Sequence, residues 1–388
     1  MRVLSRLHHG GLIGRNRKFL PIYLAGLFSA IHYCLILYIN SSYLENFFGK
    51  FEVATLFALG SILSLLILLS SETFFKQINL RSAFTTTAVL EILAVTTMSS
   101  AETPILVGLG FIVHQAAIVF LFYVLDIILE REIKDETNTG EVRGIFLTVG
   151  SVAFVITPLF LGFALESNGY AFIYMLSVFF LFLAIPAHFS HKTDHHLLPI
   201  HHAPVTKDMR MGIFLNFLLQ FFYAWMIIWV PIHLHQNIGF AWTEIGIIFS
   251  VMLLPFVLFE LPLGELADRM FGEKEIMSIG FFLIAISTAM LSVISISSIL
   301  VWALALFMTR TGASAVEIAT ESYFFKHIKG RETGTVGIFR ATRPVSYLVS
   351  PMIGATSIYI LGPYTSFVVL AGILFIGVFL SLRLKDTL

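Results

Sequence analysis

Long apolar runs alternate with short polar turns along the whole chain. A helix that crosses a bilayer needs about 20 mostly apolar residues. Twelve runs reach that length, near 19–40, 52–71, 79–99, 104–129, 144–165, 170–189, 211–235, 244–263, 276–294, 298–320, 335–360 and 364–383. Arg15, Arg17 and Lys18 precede the first run, and no small-residue cleavage site follows it. It therefore reads as a retained span and not as a signal peptide. The longest polar stretch, 190–210, separates six spans from six. The pattern predicts an all-α polytopic membrane protein of twelve transmembrane helices in two six-helix bundles, 1–189 and 211–388, joined by a flexible linker at 190–210.

Composition agrees with the pattern. The chain of 388 residues is 57% hydrophobic and 12% charged, with a mean hydropathy of +0.88. Soluble domains carry roughly 25% charged residues. A net charge of zero gives no reason to expect nucleic acid as a partner. The single cysteine, Cys34, excludes an internal disulfide framework and a cysteine-based zinc cluster. If the N-terminus is cytoplasmic, 22 of the 24 lysines and arginines fall in cytoplasmic turns or at cytoplasmic helix ends. Lys50 falls outside and Arg310 within a span. This asymmetry follows the positive-inside rule and predicts a multi-pass protein of the plasma or inner membrane with both termini cytoplasmic.

The two halves repeat each other. Gly144-Ile145-Phe146 returns as Gly337-Ile338-Phe339, and Pro158 and Gly169 return as Pro351 and Gly362, all 193 positions later. Asp126 through Lys134 aligns with Glu321 through Lys329 at an offset of 195. Duplicated six-helix units are one standard architecture of secondary transporters.

One turn is more specific. Gly264-Glu265-Leu266-Ala267-Asp268-Arg269-Met270-Phe271-Gly272-Glu273-Lys274 joins the eighth and ninth runs. It resembles the signature loop of the major facilitator superfamily of transporters. Here Gly272 stands four residues after Asp268, where the family pattern has three, and Glu273 replaces a usual basic residue. The equivalent turn in the first half, 71–81, keeps Glu72 and Lys76 but lacks the glycine and aspartate. The resemblance implies a cytoplasmic gate of ion pairs, in which Gly264, Asp268, Arg269 and Lys274 meet Arg143 and Asp126. The pseudo-symmetric gate would use Glu72 or Lys76 with Glu321, Arg340 and Arg343.

The resemblance also implies that the first, fourth, seventh and tenth spans line a central cavity. Its candidate residues are His32, Tyr33, His114, Gln115, Asn216, Gln220, Tyr223, Trp225, Trp229 and Arg310. Charges inside a span are costly and mark candidate functional sites. Arg310 lies near mid-depth and shares a helix face with Glu317 and Glu321. It suits an anionic group of a substrate, or an internal ion pair with Glu317. Glu91 lies mid-span in the third run, and Glu91 and Glu317 are the candidates for proton coupling. Glu91 could equally be a protonated carboxyl bonded to neighbouring threonines.

Several chemistries are not supported. There is no phosphate-cradling Gly-Lys-Ser/Thr loop, nucleophile elbow or His-Glu-x-x-His motif. Neither an enzyme nor a cofactor is expected. The linker histidines, 191, 195, 196, 201 and 202, read as solvated and not as a metal site. Gly150, Pro158 and Gly162 partly match the fifth-span motif of proton-antiport exporters. The expected function is proton-coupled export of a small organic solute by a monomer. The alternatives are uptake of a sugar or organic anion, and a sensor that keeps the fold.

Overall fold

The computed structural model describes residues 17–132, 139–189, 206–266, 272–326 and 333–385, nearly all of them helical. The helices are α1 (Leu20–Leu37), α2 (Asn40–Leu44), α3 (Lys50–Gln77), α4 (Leu80–Ser100), α5 (Pro104–Glu132) and α6 (Thr139–Phe189). The second half holds α7 (Lys207–Ile232), α8 (Trp242–Leu266), α9 (Gly272–Leu291), α10 (Ile299–Lys326), α11 (Thr333–Leu361) and α12 (Ser366–Ser381). The α6 segment is broken at Gly169, whose φ of 77° no other residue type adopts easily, so it is two crossings. Gly362, the repeat partner of Gly169, has φ 85° at the turn between α11 and α12. The same glycine makes the same corner in each half, which is the duplication expressed in backbone geometry. Counting α6 twice and setting aside the five-residue α2 gives the twelve expected crossings.

Local chemistry fixes several ends. The Asn79 side chain accepts from the Ser82 amide at 2.7 Å and starts α4, while Thr206 caps α7 by accepting from Met209. The α7 helix therefore starts four residues before the expected start of the second half at 211, because Thr206 offers a cap there. The first span was expected to reach residue 40, but α1 ends at Leu37 and residues 40–44 form the separate α2. The end of α7 widens into a π-helical turn, His233–Ile238, closed by Gly239.

The outside of the bundle is apolar. Leu69, Ile105, Phe163, Leu300 and Tyr359 are exposed, as suits helices facing hydrocarbon. Within the halves, α1 packs on α6 and α4 on α5, and α9 and α8 both pack on α10. Two long helix pairs cross between the halves, α6 with α8 and α3 with α11, and the short α2 touches α7. At the first crossing Gly162 lies against the Trp242 backbone and Gly246 against the Pro158 carbonyl, and a Cβ on either glycine would collide with backbone. At the second, Phe51 and Tyr359 meet at 5.8 Å and Phe57 and Tyr347 at 6.3 Å.

Contacts between the halves gather toward the end expected outside. Glu45 accepts from Gln236 at 2.7 Å, Glu166 accepts from the Thr243 amide at 3.2 Å, and Tyr38 packs on Phe249 at 4.8 Å. The described conformation is closed at the end that carries Glu45 and Gln236.

Candidate functional site

Arg310 sits in α10 with 2% of its surface exposed. Its guanidinium lies over the rings of Phe222 and Tyr223, at 5.0 and 5.2 Å. Among the described residues it has no ion pair, and its Nε has no hydrogen-bond partner. The alternative of an internal Arg310–Glu317 pair is not what the structure contains. Tyr223 stands between them instead, its ring under Arg310 and its hydroxyl donating to Glu317 at 2.7 Å. Tyr38, at the end of α1, lies within electrostatic reach of Arg310 from the opposite half. A desolvated cation–π contact contributes about 2 kcal/mol. Burying an unpaired ion costs several kcal/mol. The rings alone do not offset the burial of Arg310, and an anion in contact with it would.

Arg343 was expected at the cytoplasmic gate. It reaches instead across the midline, donating to the Tyr33 hydroxyl at 2.6 Å and covering the Tyr33 ring at 5.6 Å. It is long and sits one turn inside Arg340, so it extends into the space between the halves, where Tyr33 and Tyr347 offer oxygens. Arg340 stays at the helix end and pairs with Glu321 at 2.9 Å, with Asp126 of the other half contributing its field. Lys274 lies beside Glu275 at 3.7 Å. Glu273, the departure from the family loop, is buried, accepts from Ser322 at 2.8 Å and pairs with Lys326. It ties α9 to α10. Asp268 and Arg269 lie outside the described residues, as do the side chains of Arg143, Glu72 and Lys76, and Gly264 is described only as part of the α8 backbone.

Other cavity candidates are packed away from it. Asn216 donates to Thr342 at 2.7 Å, joining α7 to α11. Trp229 lies against Gly354, and Trp225 is fully buried. The Gln115 side chain covers Gly60 on α3, and Gln220 is half-buried.

A second polar centre lies inside the first half. Glu91, His32 and His114 are each fully buried, and Glu91 Oε1 is 2.9 Å from His32 Nε2 and 2.5 Å from His114 Nδ1. Glu91 was weighed as a carboxyl bonded to threonines, but the nearest of these, Thr87, bonds the Ala83 carbonyl. Asn40 of α2, Tyr174 and Ser177 complete the centre, and sequence reasoning missed all three. Asn40 is the last residue of the first expected span, and Tyr174 and Ser177 lie in the sixth, which is not among the four spans expected to line the cavity.

The three ligand-type atoms of His32, Glu91 and His114 lie within 4.8 Å of one another. Tetrahedral zinc at ~2.0–2.1 Å from each ligand would set them about 3.3 Å apart. The 2.5 and 2.9 Å separations are hydrogen-bond distances, and the three groups are bonded to one another in the described structure.

The sequence model of the Major Facilitator Superfamily matches residues 212–387. Solved transporters share the fold across the chain. The human organic anion transporter MFSD10 (TETRAN) is 12% identical, with 94% of this chain and 99% of that one aligned at a TM-score of 0.68. The nucleoside transporter NupG is 11% identical over 95% and 98%, with a TM-score of 0.75. A POT family transporter in complex with 5-aminolevulinic acid is 12% identical over 94% and 95%, with a TM-score of 0.77. No curated protein matches the chain in sequence. The twelve crossings, the α6–α8 and α3–α11 contacts and the matched second half lead to one conclusion: the chain is a multi-pass membrane protein with the fold of Major Facilitator Superfamily transporters along its length, and its residues 212–387 match that family's sequence model.

Proposed function

We propose that the protein is a secondary active transporter that moves a small organic anion by alternating access, with protons as the coupling ion. The observation that carries the substrate class is Arg310, buried between the halves over two aromatic rings with no acidic partner among the described residues. Arg310 and Arg343 face this space against Glu317, which leaves one positive charge for a substrate to neutralise. A guanidinium presents a planar fork of donors that matches a carboxylate or phosphate. Phe222 and Tyr223 give the substrate an aromatic floor. MFSD10 carries the description of an organic anion transporter, which agrees with this reading.

The halves 1–189 and 211–388 are the moving bodies, and the cytoplasmic gate is the set of charges around Asp268, Asp126, Glu321 and Arg340. Export rests on the Pro158–Gly162 motif. The Gly162–Trp242 crossing itself serves export and import alike. The test is thermal stabilisation of the detergent-purified protein, because a ligand that binds only the folded state raises Tm. Small carboxylates and phosphate esters raise it, and their neutral amides or alcohols do not. Equal stabilisation by the neutral analogues overturns the anion reading.

A further inference from the structure

The hydrogen bonds of the buried centre in the first half fix where its protons are. The Ser177 carbonyl can only accept, so His32 Nδ1, 3.0 Å away, carries hydrogen. Tyr174 donates to Asn40 Oδ1 at 2.8 Å, which turns the Asn40 amide nitrogen toward His114 Nε2 at 3.1 Å. That nitrogen donates, so His114 Nε2 accepts and His114 Nδ1 carries the hydrogen given to Glu91 Oε1. One contact is left to assign, His32 Nε2 to Glu91 Oε1 at 2.9 Å. If Glu91 is a carboxylate and His32 is neutral, two lone pairs face each other there. The contact is attractive only with one additional proton, on Nε2 or on Oε1. The described geometry is therefore the form with that proton bound, in which the centre is neutral overall. Without it the centre carries one negative charge and a repulsive contact.

The surroundings make this proton specific. Five packed segments supply the groups that face the centre: His32 from α1, Asn40 from α2, Glu91 from α4, His114 from α5, and Tyr174 from the second part of α6. Tyr43 and Tyr170 lie behind Tyr174. No lysine, arginine or aspartate bonds to the three residues among those described. Glu91 Oε2 is buried without a partner, so nothing else balances the carboxylate charge.

The centre also holds α1 at two points. His32 is one, and Asn40, just past the end of α1, is the other. Between them lie Tyr33, bonded to Arg343, and Tyr38, packed on Phe249, both contacts with the other half.

We propose that His32, Glu91, His114 and Asn40 form a binding site for one proton, separate from the Arg310 site, and that its occupancy positions the Tyr33–Tyr38 stretch against the second half. Proton release leaves Glu91 ionised and drives His32 Nε2 from Oε1. The Tyr33–Arg343 and Tyr38–Phe249 contacts then loosen, and the closed end opens. The purpose of the site rests on the transporter reading. Its chemistry does not, so the test is made without substrate or transport.

Spin labels on Phe51→Cys and Tyr359→Cys, in a Cys34→Ser background, report the closed end of the full-length protein in lipid. Raising the pH is expected to lengthen the label distance and to change the carboxyl and carboxylate bands in infrared difference spectra. Glu91→Gln is expected to lose both the shift and its band. His114→Gln keeps a donor and is expected to retain the shift at a displaced midpoint. If Glu91→Gln folds and keeps the wild-type shift, the proposal is overturned. If Glu91→Gln does not fold, the His32→Gln variant and the wild-type infrared difference decide. A pH-independent distance in wild type, or a label shift unchanged in His32→Gln, also overturns it. Quenching of the shift by added Zn²⁺ at constant pH, lost in Glu91→Gln, would mean a metal site and equally overturn it.

Discussion

At the residue scale, Arg310 carries the substrate reading, and its environment states what each substitution does. Arg310→Ala is expected to weaken binding of the anion by at least about tenfold, the equivalent of about 1.4 kcal/mol. Arg310→Lys keeps the charge but not the fork, and falls between wild type and alanine. Titration calorimetry with a carboxylate ligand measures both, and wild-type affinity in Arg310→Ala would remove the residue from the site. Tyr223→Phe frees Glu317 from its hydroxyl. The freed carboxylate then competes with the substrate for Arg310, so this variant too is expected to bind more weakly. Arg310 stood out in the sequence because a charge at mid-span is costly. Its lack of an acid partner did not, because Glu317 shares its helix face and only the structure places Tyr223 between them. Glu91, His32 and His114 were legible as three separate oddities. Their convergence on one oxygen depends on how α1, α4 and α5 pack, which no spacing along the chain encodes.

At the scale of elements, the glycines decide how closely the halves meet. Gly162 and Gly246 let α6 and α8 cross with backbone on backbone. Gly162→Val places a side chain where the Trp242 backbone lies, so the closed end cannot form. The variant is expected to insert and fold as a membrane protein. Its Thr243→Cys thiol should react with a membrane-impermeant reagent several-fold faster than in otherwise wild-type protein. Unchanged labelling would show that the crossing is not the closure. Gly169→Ala tests a different property, since alanine is strained at φ 77°. It is expected to cost about 1–3 kcal/mol, read as a fall in Tm, with little effect on Thr243 labelling. The repeat of Gly169 as Gly362 was readable as a sequence offset, and its meaning as two identical corners follows from the steric freedom of glycine alone. The short α2 and the π-helical turn after α7 were not readable, because both lie where apolar and polar residues mix without a clear period.

At the scale of the molecule, twelve crossings follow directly from the lengths of the apolar runs, and the two-half division from their repeat. Rigid halves make a further prediction. Segments 1–189 and 211–388, co-expressed as separate chains, are expected to assemble and bind the same ligands, because the cross-half contacts of α3 with α11 and α6 with α8 do not need the linker. Co-purification with ligand stabilisation checks this, and failure of the halves to associate would make the linker structural. Asp268→Asn is expected to slow transport while leaving membrane insertion intact, since the proposed gate would act on switching and not on folding.

The central claim is that an unpaired cation between two moving halves selects an organic anion. Uptake into proteoliposomes preloaded with unlabelled solute measures exchange without any assumption about direction or driving force. Labelled small carboxylates are expected to exchange in wild type, their neutral amides are not, and Arg310→Ala is expected to exchange neither. Equal exchange of acid and amide, or full exchange of the acid by Arg310→Ala, would contradict the account.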